Sequence, residues 1–310
     1  MANLIEADYN CSLASLRERL KNAWTGGLNM MVRLRNCLLF WTVVVTVVLP
    51  AYGWENQAAS DKVIKLFNGK DLTNFYTWLV DFKERDPDKV FSVVDQIDGA
   101  PALRASGQHW GGLITKQEFS NYRLIVEFRW GLLTWGDRKD KSRDSGILVH
   151  AQGPEGNYSK DFNGPWMRSV EFQIIEGGTG DFILVNGYNQ NGELVKVSLT
   201  ATAKKDRDGE NVFDPGGKIT PFEGQRINWY GRDVDWEDKL GFRGKEDVES
   251  PTGQWTRVEV VCDGDTITNI VNGRVVNKAI RSNLTSGKIL LQSEGAEIFF
   301  RRVDLERLAR

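Results

Sequence analysis

Hydrophobic and polar residues alternate along much of this chain with the two-residue period of a half-buried strand. In Tyr122-Arg123-Leu124-Ile125-Val126-Glu127-Phe128-Arg129-Trp130, positions 122, 124, 126, 128 and 130 share one face. That pattern predicts a strand whose aromatic and aliphatic side meets a core. Residues 257–262 and 266–271, parted by Asp263-Gly264-Asp265, read as a hairpin, and Asn272-Gly273 supplies the next tight turn before Arg274-Val275-Val276. Ile289-Leu290-Leu291-Gln292 and residues 298–305 are further strands on either side of Ser293-Glu294-Gly295-Ala296. Short strands with glycine-bearing turns predict an all-β chain, an antiparallel two-sheet jelly-roll sandwich. After residue 53 the only helical period is a weak one over 304–310.

The stretch 188–250 departs from this pattern. It is charged and rich in Gly, Asp and Lys, with Lys204-Lys205-Asp206-Arg207-Asp208-Gly209 at its centre. It reads as an insertion of hairpins and loops over one end of the sandwich, and long loops of this kind often act as lids. Within it, Asp233-Val234-Asp235-Trp236-Glu237-Asp238 reads as a solvated acidic loop rather than a metal site.

The N-terminal region carries a different signal. Arg33 and Arg35 precede an apolar run of 13 residues over 37–49, then Pro50 and Ala51-Tyr52-Gly53. A basic segment, a short apolar run and a small-x-small site make a secretory signal peptide over 30–53. The competing reading is an uncleaved anchor, although a bilayer needs about 20 apolar residues. A signal peptide begins at the N-terminus, so Met30 or Met31 is the expected start. Residues 1–29 then read as an upstream extension foreign to the protein, the alternative being a long leader. The expectation is a single domain over 60–310, exported to the periplasm or outside the cell, with no stable membrane insertion once the signal is cleaved. Of three cysteines only Cys262 lies beyond Gly53, so the exported chain has no internal disulfide and relies on its core. Charge is near balance, 40 Lys+Arg against 42 Asp+Glu, and mixed along the chain, which gives no nucleic-acid footprint.

Candidate chemistry lies where two strands break the apolar rule. Arg143-Asp144-Ser145-Gly146-Ile147-Leu148-Val149-His150 and Ser169-Val170-Glu171-Phe172-Gln173-Ile174-Ile175-Glu176-Gly177-Gly178 both read as buried, yet carry polar groups. Burying a carboxylate or imidazole costs several kcal/mol unless it is paired or used. Strand alternation puts Glu171 and Gln173 on one face and Phe172 and Ile174 on the other. The same alternation puts Leu148 and His150 opposite Ile147 and Val149, so His150 is expected beside Glu171. The structural alternatives are a strand-end histidine and an ion pair of Glu171 with Arg129 or Arg168.

Several segments together resemble one known family. They are Leu66-Phe67-Asn68-Gly69-Lys70-Asp71-Leu72, the run 112–124, Asp144-Ser145-Gly146-Ile147 through His150, Glu171-Phe172-Gln173-Ile174, residues 255–276, Gly287-Lys288-Ile289-Leu290-Leu291-Gln292, and Ile298-Phe299-Phe300-Arg301. In this order they resemble the 3-keto-disaccharide hydrolase, or 3-keto-glucoside lyase/hydratase, domain family. The resemblance implies a concanavalin-like jelly roll related in shape to laminarinases. The chain departs from the family where a strand that often ends in Arg ends in His150, and where 188–250 is longer than in minimal members.

The resemblance implies an exported enzyme acting on a sugar already oxidised at C3. A base removes the acidified C2 proton, the C1 substituent is expelled, and water can add to the product. Such chemistry needs a base, a partner for the enolate oxygen and a stacking surface. Candidate bases are His150 and Glu171, which are also the candidate ligands for a divalent metal; no organic cofactor is expected. Gln173, Arg129, Lys116 and Asp144 are candidates to hold hydroxyls, Trp110, Trp135 and Trp166 to stack on the ring, and His109 to bring a second imidazole. Two other functions compete. A retaining, laminarinase-like hydrolase would use Glu171 and Glu176, which needs a bulge to bring both to one face. A non-catalytic carbohydrate-binding module needs aromatics without a poised base.

Overall fold

A computed structural model describes residues 63–308; the expected signal segment 30–53 and the extension 1–29 lie outside the described residues. In chain order the strands are β1 (Val63–Lys65), β2 (Phe75–Leu79), β3 (Phe91–Ile97), β4 (Ala100–Ala105), β5 (Gly111–Thr115), β6 (Tyr122–Thr134), β7 (Asp144–Gln152), β8 (Arg168–Ile175), β9 (Phe182–Val185) and β10 (Gly187–Tyr188). They continue as β11 (Leu194–Val195), β12 (Ser198–Lys205), β13 (Asn211–Phe213), β14 (Lys218–Glu223), β15 (Arg226–Ile227), β16 (Thr256–Asp263), β17 (Thr266–Val271), β18 (Arg274–Ile280), β19 (Lys288–Ser293) and β20 (Ala296–Arg307). The larger sheet runs β13-β12-β18-β17-β16-β6-β20-β4-β3, with β1 on β20 and β14 on β12. The smaller sheet runs β15-β9-β8-β7-β19-β5-β2, and β10-β11 is a separate hairpin. All strand pairings within the sheets are antiparallel, as the alternation predicts.

The main core lies between the sheets. Tyr122, Leu124, Val126, Phe128 and Trp130 of β6 join Ile147, Val149, Val170, Phe172, Ile174 and Leu291 of the smaller sheet in one buried cluster. Burying a side chain of this size contributes roughly 1.5–3 kcal/mol, so the inward face of each strand is fixed, and with it the opposite face. On that opposite face of the smaller sheet, Ile114, Leu148 and Leu290 form a second cluster with Trp166 and Met167, which belong to the loop between β7 and β8. Part of this outer face is therefore covered by that loop, and the rest stays available for a site.

Two expectations change here. The stretch 188–250 is not only a lid. Its strands β12, β13 and β14 extend the larger sheet and β15 edges the smaller one, while Leu199, Phe213, Phe222, Ile227 and Trp229 are buried in the main core. The loop reading holds from about 230 onward, where no strand occurs before β16. The weak helical period over 304–310 is strand as far as Arg307. Among the described residues no helix is long and apolar enough to cross a membrane.

Candidate active site on the outer face of the smaller sheet

The register of the smaller sheet sets polar side chains into two neighbouring rows of its outer face. One row reads Ile114, Leu290, Leu148, Glu171, Ile183, Arg226 across successive strands. Next along, Gly112 pairs with Gln292 and Gly146 with Gln173. Gly146 leaves room at the crossing point. A Cβ there would lie 2.4 Å from Gln292 Oε1 and 2.5 Å from Glu171 Oε1, so these two side chains lean over it from neighbouring strands. Glu171, Gln173, Gln292, Glu294, Trp166 and Tyr158 line a pocket of about 460 Å³ on this face.

The electrostatics of the pocket are those of crowded carboxyls in a dry place. Burial, and then the neighbouring Asp144, push Glu171 up to about 8. Burial lifts Asp144 to about 7 despite the pull of Arg138 and Arg226. Glu294 is raised well above the usual carboxylate range by burial, Asp144 and Glu171. Like charges this close cannot all ionise near neutrality, so the group retains protons. Asp144 is ion-paired to Arg138, and Arg226 is held by the buried Asp181 at 2.5 Å. Glu171 itself makes no ion pair among the described residues, with Arg129, with Arg168 or otherwise. Four buried polar atoms here have no protein partner: Asp144 Oδ1, Gln173 Oε1, and Gln292 Oε1 and Nε2. Buried polar atoms are seldom left so, and here Gln173 and Gln292 line an open pocket.

Of the sequence candidates, Glu171, Gln173, Asp144 and Trp166 come together. Trp110 is 41 % exposed and stacks on Trp166, with centroids 6.1 Å apart and planes at 25°, extending the aromatic wall. Trp135 hangs beside the turn that carries Glu294: its backbone N–H donates to Gly295 O at 2.7 Å and its indole N–H to Ser106 O at 2.9 Å. Its ring is not part of the pocket wall.

His150 is not where alternation places it. A bulge interrupts the pairing of β7 with β8 between Val149 and Gln152, and His150 adopts a left-handed φ of 55°. The ring turns into the inter-sheet core, fully buried, edge-on to Tyr122 of the opposite sheet at 5.6 Å. Its Nδ1–H donates to Leu284 O at 3.0 Å, and burial lowers its pKa to about 4. Gly287 makes the bulge possible, since a Cβ there would lie 2.6 Å from the His150 carbonyl carbon. His150 and Glu171 therefore lie on opposite sides of the sheet, and they do not fit a shared metal ion. Among the described residues no group of three or more His, Cys, Asp or Glu side chains is placed to hold one.

The remaining candidates sit elsewhere. Arg129 lies on the outer surface of the larger sheet, paired with Asp98 at 2.9 Å, because Phe128 and Trp130 on either side of it point into the core. Lys116 is exposed just past the end of β5. His109 is clamped between two carboxylates, Nδ1 to Asp81 at 2.7 Å and Nε2 to Asp88 at 2.9 Å. Partial burial pulls its pKa down, but the two carboxylates prevail and raise it. Glu176 does not join Glu171: its carboxylate accepts from Arg143 Nη1 at 2.6 Å, from the Arg143 backbone N–H at 2.9 Å and from Gly241 N–H at 2.8 Å. The register of β8 against β7 runs without a shift from Val170 to Ile175, so the bulge that the paired-glutamate geometry needs is missing. Sequence reading missed Gln292, Glu294, Arg138 and Arg226. Gln292 carried a usable signal, a polar residue closing the apolar run Ile289-Leu290-Leu291; the others become neighbours only through register.

Comparison with solved structures finds two Parabacteroides distasonis ATCC 8503 proteins that carry a provisional glycosyl hydrolase name. One is 15% identical with TM-score 0.45, covering 82% of this chain and 97% of its own. The other is 21% identical with TM-score 0.41, covering 80% and 100%. A Bacillus licheniformis beta-glucanase is 12% identical with TM-score 0.35, covering 79% and 97%. A search of curated proteins gives no match. The family model of the 3-keto-alpha-glucoside-1,2-lyase-like domain matches residues 62–306, taking in every strand that builds the pocket. The chain, a carbohydrate-active enzyme with a carboxyl-lined pocket on a jelly-roll sheet, thus belongs to the 3-keto-alpha-glucoside-1,2-lyase-like domain family.

Proposed function

We propose that this protein is an exported enzyme that cleaves 3-keto-glycosides, with Glu171 as the base. The observation that carries the reading is a buried carboxyl raised to about 8, with unpartnered amide atoms of Gln173 and Gln292 around it in a pocket of about 460 Å³. A general base works best when its pKa lies near the working pH. In the ionised form, Glu171 takes the C2 proton, and the C2–H electron pair forms the C2=C3 enolate. The enolate then collapses to the ketone as C1=C2 forms and the C1–O bond breaks. The departing oxygen takes a proton from Glu294, which lines the pocket and whose carboxyl is kept protonated by burial and by the neighbouring acids. Gln292 Nε2–H is a buried donor without a protein acceptor and suits the developing enolate oxygen. Trp166 and Trp110 offer apolar faces to the ring. Water adding across C1=C2 turns elimination into net hydrolysis. Export rests on the basic, apolar and small-residue pattern of 30–53.

Purified protein is to be incubated with 3-keto-glucosides and with the parent glucosides, as wild type and as Glu171→Gln. Wild type is expected to consume only the oxidised sugars, and the variant to bind them with turnover lower by roughly 10²–10⁴-fold. Cleavage of the plain glucosides alone, or full turnover by the variant, overturns the proposal. Binding without turnover by wild type makes the protein a carbohydrate-binding module.

A further inference from the structure

A second pocket, of about 510 Å³, lies beside the first. The hairpin β10-β11 stands between them. Leu194 lines the first pocket, Val195 the second, and Tyr188 both. At the second pocket's wall is Arg168, half-buried, whose guanidinium has one protein acceptor, Gln152 Oε1 at 2.5 Å from Nη2. Among the described residues no carboxylate lies within 4.0 Å of it. The nearby acids are engaged elsewhere: Glu155 accepts from Tyr76 at 2.5 Å, and Glu193 from Asn189 at 2.8 Å. A desolvated guanidinium without a counter-charge is costly, and an arginine fork matches a carboxylate at two points. Gln190 and Asn191, on the same wall, are neutral amides whose side chains make no hydrogen bond among the described residues, and they suit hydroxyl groups. Arg168 is three residues from Glu171 along β8, about 10 Å of strand; the odd spacing sets the two on opposite sides of the strand, and the pockets they serve meet at Tyr188, which lines both.

We propose that this second pocket is a subsite for a carboxylate-bearing sugar unit, with Arg168 taking the carboxylate and Gln190 and Asn191 the hydroxyls. The site therefore favours substrates in which the unit next to the oxidised sugar is a uronic acid. Only the word substrate rests on the function proposed above; the anion subsite itself does not.

The test is calorimetric titration of the full chain with glucuronate, glucose and inorganic phosphate. Glucuronate is expected to bind at least ten-fold more tightly than either. Arg168→Gln is expected to abolish that preference. Gln190→Glu, a change on an exposed loop, is expected to weaken glucuronate several-fold by placing a like charge on the pocket wall while leaving the melting temperature unchanged. Glu171→Gln is expected to leave glucuronate binding as in wild type, which separates this subsite from the catalytic reading. Equal binding of glucuronate and glucose, phosphate binding as tightly as glucuronate, or a preference that survives Arg168→Gln overturns the proposal.

Discussion

At the residue scale, the proposed chemistry turns on what burial does to one carboxyl. Glu171 has a folded-state pKa of about 8 against an ordinary 4.5. Between those values the native state binds more protons than the unfolded state, so this group's contribution to stability declines as pH rises through the window. Glutamine mimics the protonated acid and cannot ionise. Glu171→Gln is therefore expected to match wild type in stability near pH 5 and to exceed it by pH 8, by on the order of 2–4 kcal/mol. Urea denaturation at the two pH values measures this, and parallel stability curves would contradict it. Wild-type kcat/KM should climb toward pH 8 as the base ionises, a limb absent from the variant. The sequence already indicates that Glu171 and Gln173 share a face, because the two-residue period holds throughout β8. That Glu294 and Arg226 would crowd Glu171 is not legible, because cross-strand neighbours depend on register and no local pattern announces it. Gly146 reads as an ordinary strand glycine until its neighbours are seen reaching into the space where a side chain would stand.

At the element scale, β7 shows how one irregularity reassigns a side chain. Alternation is a statement about continuous pleating, and it fails at the bulge that ends the pairing of β7 with β8. Nothing in Leu148-Val149-His150-Ala151 signals the left-handed residue; the cause is tertiary, the close approach of Gly287 to this backbone. His150 consequently behaves as a core residue. Its folded pKa of about 4 lies below the ordinary 6.5, so between those values the unfolded state binds more protons, and stability is lost as pH falls through the window. Asparagine tolerates the left-handed conformation and leaves a cavity. His150→Asn should cost about 2–4 kcal/mol and remove this group's share of the pH dependence between 4 and 6.5. The folded variant should turn over 3-keto-glucosides within a few-fold of wild type; a hundred-fold loss with folding intact would make the ring a participant after all. The hairpin β16-β17 and the turn into β18 were fully legible, by contrast, because Asn272 and Gly273 supply adjacent positive φ values of 46° and 82°, as a tight hairpin turn requires.

At the scale of the whole molecule, the stretch 188–250 was the least legible region, and composition explains why. In Ser198-Leu199-Thr200-Ala201-Thr202-Ala203 the alternation is carried by small residues with little contrast in polarity, so a strand pairing with both β18 and β14 reads as loop. Beyond it, the chain over 232–250 is fastened to the ends of β7 and β8. Trp236 Nε1 donates to Glu176 O at 2.8 Å, Gly241 N–H donates to the Glu176 carboxylate, and Arg138 joins Asp238 at 3.0 Å to the paired Asp144. Glu176 is thus the post to which this loop and the buried Arg143 are tied. That role separates two functions for the whole protein. If the sandwich worked as a retaining glycosidase, Glu176→Gln would abolish turnover without much change in fold. If Glu176 is an anchor, the same change leaves Arg143 buried without its counter-charge, which costs about 3–5 kcal/mol. Molecules that stay folded would then process 3-keto-glucosides at close to the wild-type rate. Thermal denaturation and turnover measured on one sample decide between them: the anchor predicts a large fall in melting temperature with kcat nearly unchanged, because Glu176 does not line the Glu171 pocket.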